Sequence, residues 1–181
     1  VRCLLSTSLL LSCGFIHAQS QYLDRLSIDV LDVEAPSSRV SGTPGDMAYV
    51  ERDCRSIPVE NLRNRIVNTA IQEWAYFGYS VYDLTHTRDD NPNYLRQRWR
   101  RPSIDPAEAM RVADSIAGYW SSTPDSAWIL ERQNQSWNSR GAGSRWRNPW
   151  SAAFISWVMC ESGLGDPQKF RRAIAHHSYI D

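Results

Sequence analysis

Residues 147–165 read RNPWSAAFISWVMCESGLG, and this stretch decides the fold. Asn148-Pro149 is a typical helix start, because proline has a helical φ and has no N–H to leave unpaired in the first turn. Apolar side chains then recur at helical spacing as far as Gly163, and they are Trp150, Ala153, Phe154, Trp157 and Val158. A stripe of this kind has to be buried against other elements, so the pattern predicts a core helix.

Helical signals also occur on both sides of this stretch. Residues 58–77 place an apolar side chain at every third or fourth position and stop at Gly78, with Val59, Leu62, Ile66, Ala70, Trp74 and Phe77 forming the stripe. Asp105-Pro106-Ala107-Glu108 combines a capping Asp, a first-turn Pro and a capping-box Glu, and starts a helix that reaches Trp120. Asp166-Pro167 starts a fourth helix, with Phe170, Ala173 and Ile174 facing inward. The sequence therefore predicts a mainly α fold of about four helices.

The remaining segments have little periodicity. Residues 19–55 predict an irregular arm, in which Leu26–Leu31 is the stretch that could pair as a strand, and residues 56–181 form the predicted helical domain. Residues 79–104 are polar and predict a long loop with a short helical piece around Tyr94–Trp99. A second loop, rich in Ser, Asn, Gly and Arg, is predicted from Trp120 to Asn148.

The first 18 residues are predicted to be a secretory signal peptide, with one Arg, an apolar run and a small residue, Ala18, at the cleavage position. An alternative is lipidation at Cys13, which follows Leu10-Leu11-Ser12. Either route predicts an exported, periplasmic or secreted bacterial protein. In an oxidising compartment Cys54 and Cys160 form a disulfide, or else remain two buried thiols.

Composition excludes several classes of protein. Lys and Arg number 20 against 20 Asp and Glu, so the chain lacks the positive charge of a nucleic-acid-binding protein. The charged fraction of 22% and the aromatic fraction of 11% are values of a globular protein. No run of about eighteen apolar residues is present, so no transmembrane span is predicted. No cofactor is predicted, and His86, His176 and His177 lack the second spaced motif of a zinc site.

Ser151 occupies the first turn of the predicted core helix. Free backbone N–H groups at a helix start stabilise an anion, so a nucleophile there gains both acidity and an oxyanion donor. The alternative is that Ser151 serves only as a helix cap. His176 and His177, near the end of the chain, are the candidate bases, with a packed or exposed structural His as the alternative.

The block PWSAAFISWV, the upstream IVNTAIQEWAYFG and AMRVADSIAGYW, and the downstream FRRAIAHHSYID resemble the bacterial domain of unknown function 2272 over residues 60–181. The block also resembles the nucleophile helix of papain-like cell-wall hydrolases, the NlpC-type peptidases and CHAP amidases. The resemblance implies the helical half of a papain-like α+β domain, peptidoglycan amide hydrolysis, and Ser151 at the position of the nucleophilic Cys. It also implies a β-half carrying the catalytic His, which this sequence does not include, so we expect the chain to be an inactive fragment.

Two carboxylates are further candidates. Glu73 lies in the block EWAYFG beside an aromatic residue, where a raised pKa would suit an acid catalyst, and pairing with a buried Arg is the alternative. Glu161-Ser162-Gly163 is similar to the catalytic Glu-Ser-Gly of lytic transglycosylases, although a solvated Glu161 near the helix end explains it more simply. Our list of catalytic candidates is therefore Ser151, His176, His177 and Glu73.

The alternative function is a non-catalytic envelope module that binds glycan or a protein partner through loops rich in Trp and Arg. Trp128, Trp137 and Trp146 lie in the second predicted loop, where their rings could stack on sugars or fold back onto the helices. Trp74, Trp120, Trp150 and Trp157 lie on the predicted core stripes. Convergence of a nucleophile, a base and an oxyanion donor would favour the hydrolase over the binding module.

Overall fold

The computed structural model describes residues 23–54, 60–79, 105–144, 146 and 148–180. In this part of the chain the helices are α1 (Ile28–Leu31), α2 (Leu62–Tyr76), α3 (Pro106–Arg111), α4 (Ala113–Ser121), α5 (Ala127–Arg140), α6 (Ser151–Glu161) and α7 (His177–Ile180). The predicted mainly α fold is confirmed. The signal peptide with Cys13, and the loop with its helical piece at Tyr94–Trp99, lie outside the described residues.

Helices α4 and α6 form the centre of the core. Trp120 of α4 and Trp157 of α6 are completely buried, and Tyr119 packs against Trp157 with ring centroids 5.3 Å apart. The start of α3 is fixed as predicted, because the Asp105 carboxylate accepts hydrogen bonds from the backbone N–H groups of Ala107 and Glu108. The predicted core helix and the predicted capping signal are therefore confirmed.

The arm takes part in this core. A 3₁₀ helix (Pro36–Arg39) leads into a two-stranded antiparallel sheet, β1 (Val40–Ser41) and β2 (Ala48–Tyr49), in which Val40 lies opposite Tyr49. Val33 and Met47 are buried in the same cluster as Trp120. The predicted strand at Leu26–Leu31 is wrong, since Ile28–Leu31 forms helix α1. Alternation of apolar residues over so short a segment does not distinguish a strand from one helical turn.

Gly118 of α4 allows the 3₁₀ helix to approach closely. A Cβ at this position would overlap the carbonyl group of Pro36. We therefore expect Gly118→Ala to lower the free energy of unfolding by about 1–3 kcal/mol through overpacking, although alanine is the better helix former. Urea unfolding of the two proteins measures the difference. An unchanged or higher midpoint would show that the 3₁₀ helix does not depend on this contact.

The loop predicted between Trp120 and Asn148 is wrong over most of its length, because α5 occupies residues 127–140. Ile129, Leu130, Gln133 and Trp137 form its buried face, at spacings of one, three and four residues. Polar residues lie between these positions, so the buried face of α5 is not evident from the sequence. Trp137 and Trp146 pack edge to face with centroids 4.9 Å apart, and both are buried.

The fourth predicted helix is also wrong. After α6 the chain makes a turn at residues 167–169 and then runs without a helix to His177, where the short α7 begins. Asp166 does cap this turn, accepting a hydrogen bond from the backbone N–H of Gln168. The capping signal was therefore present, but the segment that follows is held by contacts with α6 instead of its own helical bonds.

Helix α2 is confirmed, although it begins only at Leu62 after a turn at residues 60–61, and its buried face differs from the predicted stripe. Thr69, Gln72, Glu73 and Ala75 are buried, whereas Trp74 is 44% exposed, so its assignment to the core is wrong. Gln72 and Glu73 face inward because the arm supplies their partners: Gln72 Oε1 accepts a hydrogen bond from the backbone N–H of Leu26, and Glu73 accepts from Arg25.

Cys54 and Cys160 form a disulfide, which confirms the first of the two alternatives. The bond joins the end of the arm to the last turn of α6, across a sequence separation of 106 residues.

Candidate functional site

Ser151 is the first residue of α6 and is exposed to solvent. The residue before it, Trp150, stacks on Phe77 at the end of α2 and on Tyr119 of α4, with centroid distances of 5.4 and 5.9 Å. These two aromatic contacts fix the start of α6. The hydroxyl is consequently presented at the surface from a rigid helix end.

His176 contacts this hydroxyl. Ser151 Oγ and His176 Nε2 are 2.9 Å apart, which is hydrogen-bond distance between a hydroxyl and an imidazole. The two residues are 25 positions apart in the chain, and the whole of α6 lies between them. The structure thus brings together two of the four predicted site residues.

The chain before His176 is held against α6 at several points. The buried Ser156 hydroxyl donates to the carbonyl of Ala173 and accepts from its N–H, both at 3.0 Å. Arg172 donates to the carbonyl of Ser122 at 2.7 Å and contacts the disulfide sulfurs. Ile174 packs on the core cluster. Because these contacts come within four residues of His176, they set where the imidazole lies.

Tyr179 completes a chain of three side chains. Its hydroxyl lies 2.5 Å from Nδ1 of His176, on the side of the ring away from Ser151. Partial burial raises the pKa of Tyr179 above its usual value, which favours the neutral phenol. Tyr179 is not among the residues predicted from the sequence, although its position three residues after His176 places both on one face of a helical turn.

The arrangement has the parts that acyl transfer requires. A hydroxyl at hydrogen-bond distance from an imidazole can lose its proton to Nε2 as it attacks a carbonyl. The N–H groups in the first turn of a helix have no partner within the helix, and the helix dipole makes this end favourable for an anion. A hydroxyl, an imidazole and the N–H groups of a helix start therefore lie together at the start of α6.

The structure does not bring His177 or Glu73 into this arrangement. His177 is the exposed first residue of α7, and among the described residues the imidazole at Ser151 is that of His176. Glu73 is buried and accepts two hydrogen bonds from Arg25, of which the bond from Nη2 is 2.8 Å long. The pairing alternative for Glu73 is thus the one observed.

Tyr119 shares the Glu73 carboxylate by donating its hydroxyl proton to Oε2. Burial, together with the adjacent negative charge of Glu73, raises the pKa of Tyr119 well above its usual value, so the phenol stays a donor. Burial lowers the pKa of Arg25, but the hydrogen bond and charge of Glu73 outweigh this and raise it overall. The group is a satisfied buried ion pair.

The prediction that Glu161 is solvated is wrong. Glu161 is only 1% exposed, and its carboxylate lies 3.3 Å from Nη1 of Arg39, which is 2% exposed. Arg39 is in the arm, 122 residues earlier, so no local pattern could indicate this partner. A buried, paired carboxylate is unsuited to the transglycosylase role that its tripeptide suggested.

The three tryptophans of the second predicted loop differ in exposure. Trp128 is 46% exposed, whereas Trp137 and Trp146 are buried and not available to stack on a ligand.

No group of three metal-ligating side chains occurs among the residues that the structure describes. His86 lies outside those residues. Within the same residues, none of the helices has the length and apolar character needed to cross a membrane.

No curated protein matches this chain. No solved structure matches it either. The upstream block at residues 66–78, which contributed to the resemblance, lies outside the segment in which a family was found. Residues 108–181, which carry Ser151, His176 and Tyr179, match the family described as "Uncharacterized protein conserved in bacteria (DUF2272)", the family that the sequence resembles.

Proposed function

We propose that this protein is a serine hydrolase that cleaves amide bonds by way of an acyl intermediate on Ser151. The observation that carries the proposal is the 2.9 Å contact between Ser151 Oγ and His176 Nε2 at the start of α6. Exposure of both side chains leaves the hydroxyl accessible to a substrate. A serine that served only as a cap would not require an imidazole at this distance.

The reaction follows from the positions of these groups. His176 Nε2 takes the proton of the Ser151 hydroxyl while Oγ attacks the substrate carbonyl carbon. The resulting oxyanion is stabilised by N–H groups in the first turn of α6. The imidazolium then gives its proton to the leaving amine as the C–N bond breaks. Water, activated by the same imidazole, hydrolyses the ester and returns the proton to Ser151.

Peptidoglycan is the substrate that we propose, in an exported protein. This rests on the resemblance of PWSAAFISWV to the nucleophile helix of papain-like cell-wall hydrolases and on the leader-like residues 1–18. The disulfide between Cys54 and Cys160 also fits an oxidising compartment. The papain-like relationship and the exported location are parts of the proposal.

The expected inactivity of the chain rested on the resembled hydrolases, which take their base from a strand. His176 offers a base in the helical part itself, because the segment after α6 returns to the start of that helix. We therefore propose that the described residues hold a working nucleophile and base. Serine is the weaker nucleophile than cysteine, so the base is essential to this proposal.

The test is covalent labelling of the purified protein with a fluorophosphonate probe, which reacts with activated serines. We expect label on the Ser151 peptide by mass spectrometry, and loss of that label in Ser151→Ala and His176→Ala. Ser139→Ala is the matched control, because Ser139 is an exposed helical serine of α5. Equal labelling of Ser151→Ala and the unchanged protein, or no label on the unchanged protein, would contradict the proposal.

Most of the tryptophans predicted to form the binding surface of the alternative module are buried. Of the three loop tryptophans only Trp128 is exposed, and it lies on α5. Co-sedimentation with purified peptidoglycan separates the two functions. If the protein is a hydrolase, the unchanged protein releases soluble fragments and Ser151→Ala does not. If it is a binding module, both proteins sediment with peptidoglycan equally well and neither releases fragments.

A further inference from the structure

We propose that Tyr179 is the positioning residue of His176, holding the imidazole so that the Nε2 lone pair faces Ser151. This inference rests on the proposed function and extends it to a residue outside the set that the sequence predicted. The carrying observation is the 2.5 Å separation between the Tyr179 hydroxyl and His176 Nδ1, opposite the contact with Ser151.

His176 needs such a partner because it is exposed and precedes a helix of only four residues. The single bond from Nε2 to Ser151 leaves the ring free to turn about its side-chain torsions. A second bond at Nδ1 fixes both ends of the imidazole, so the position of the base is determined before substrate arrives.

The position of Tyr179 is itself well determined. Its backbone N–H donates to the carbonyl of His176 at 3.2 Å, which places the two side chains on one face of the turn. The rings meet edge to face, with centroids 5.6 Å apart and an interplanar angle of 81°. Phe170 packs on the phenol with centroids 5.3 Å apart. The phenol is thus supported from outside α7.

The direction of the hydrogen bonds follows from the role of the base. Nε2 can accept the Ser151 proton only if it carries none, and the neutral imidazole then bears its proton on Nδ1. The Tyr179 oxygen accepts that Nδ1–H. Loss of the phenol oxygen removes the acceptor, and the imidazole is then free to carry its proton on Nε2, where it blocks the base.

The test compares the unchanged protein with Tyr179→Phe by ¹⁵N NMR of the histidines, with His176 assigned from the His176→Ala spectrum. We expect His176 to be protonated at Nδ1 in the unchanged protein and to shift toward protonation at Nε2 in Tyr179→Phe. For hydrolysis of a peptide ester we expect kcat to fall about tenfold or more, with KM within about twofold. Tyr49→Phe is the control, since the Tyr49 hydroxyl donates to the carbonyl of Ser126 elsewhere in the fold.

The NMR readout separates the two proposals. If neither protein hydrolyses the ester but the tautomer shifts, the hydrolase proposal fails and the positioning role stands. If hydrolysis occurs and Tyr179→Phe changes neither the tautomer nor kcat, the positioning role fails while the hydrolase proposal stands. A His176 protonated at Nε2 in the unchanged protein would also overturn the inference.

Discussion

Removing the Cys54–Cys160 disulfide, by replacing both residues with alanine, is expected to lower the free energy of unfolding by about 4 kcal/mol. The bond spans 106 residues. A crosslink over about 100 residues destabilises the unfolded chain by about 4.7 kcal/mol of loop entropy, and removal of native disulfides costs about 2–5 kcal/mol, so we expect a value within the upper part of that range. That amount is a large part of the stability of a typical domain.

Urea unfolding of the double variant and of the oxidised protein measures this effect. A reducing agent should shift the unfolding midpoint of the unchanged protein to that of the variant, and should leave the variant where it is. Arg172 contacts both sulfurs and lies four residues before His176. We therefore also expect fluorophosphonate labelling of Ser151 to fall under reducing conditions. Equal midpoints with and without reducing agent would contradict the prediction.

Glu73→Gln is the second variant for which we expect a large loss of stability, about 3–5 kcal/mol. Glutamine keeps the shape of the side chain but removes the negative charge, which leaves the guanidinium of Arg25 buried without a counter-charge. The Glu73 side chain is 1% exposed and that of Arg25 11%, so solvent does not replace the lost partner. The Tyr119 hydroxyl also loses a charged acceptor.

Glu108→Gln is the matched control. Glu108 pairs with Arg111 three residues later at 2.7 Å, but the two side chains are 17% and 29% exposed, so we expect a loss of at most about 1 kcal/mol. Thermal or urea unfolding of both variants gives the comparison. Adding Arg25→Met to Glu73→Gln should recover part of the loss, because it removes the unpaired charge. A loss for Glu73→Gln no greater than for Glu108→Gln would refute the account of the buried pair.

The helices could be predicted where the sequence carries both a start signal and an apolar stripe. Asn148-Pro149 and Asp105-Pro106 each begin a stretch of apolar residues, and α6 and α3 begin within two residues of those signals. Asp166-Pro167 also has the signal and apolar residues after it, but the predicted helix is absent because hydrogen bonds to Ser156 and Ser122 hold the segment instead. Helix α5 follows Ser126, which makes no side-chain capping bond, and polar residues interrupt its apolar stripe, so the sequence does not predict this helix.

The site was predicted in part for a similar reason. Ser151 could be selected from its local position at a helix start, and His176 as one of few imidazoles. The contact between Ser151 and His176 could not be predicted. It depends on the hydrogen bond from the Ser156 hydroxyl to the carbonyl of Ala173, which holds the chain before His176 against α6. The partners of Glu73 and Glu161 lie 48 and 122 residues away in sequence, so local patterns contain no information about them.

The ion pair between Arg39 and Glu161 has a consequence for how this protein can vary. Glu161 lies inside the segment that matches the family, and Arg39 lies 69 positions before that segment begins. A lineage that lost Arg39 would retain a buried carboxylate without its cation, and a lineage that replaced Glu161 would retain a buried cation. We therefore expect substitutions at positions 39 and 161 to covary among relatives that contain both the arm and the matched segment.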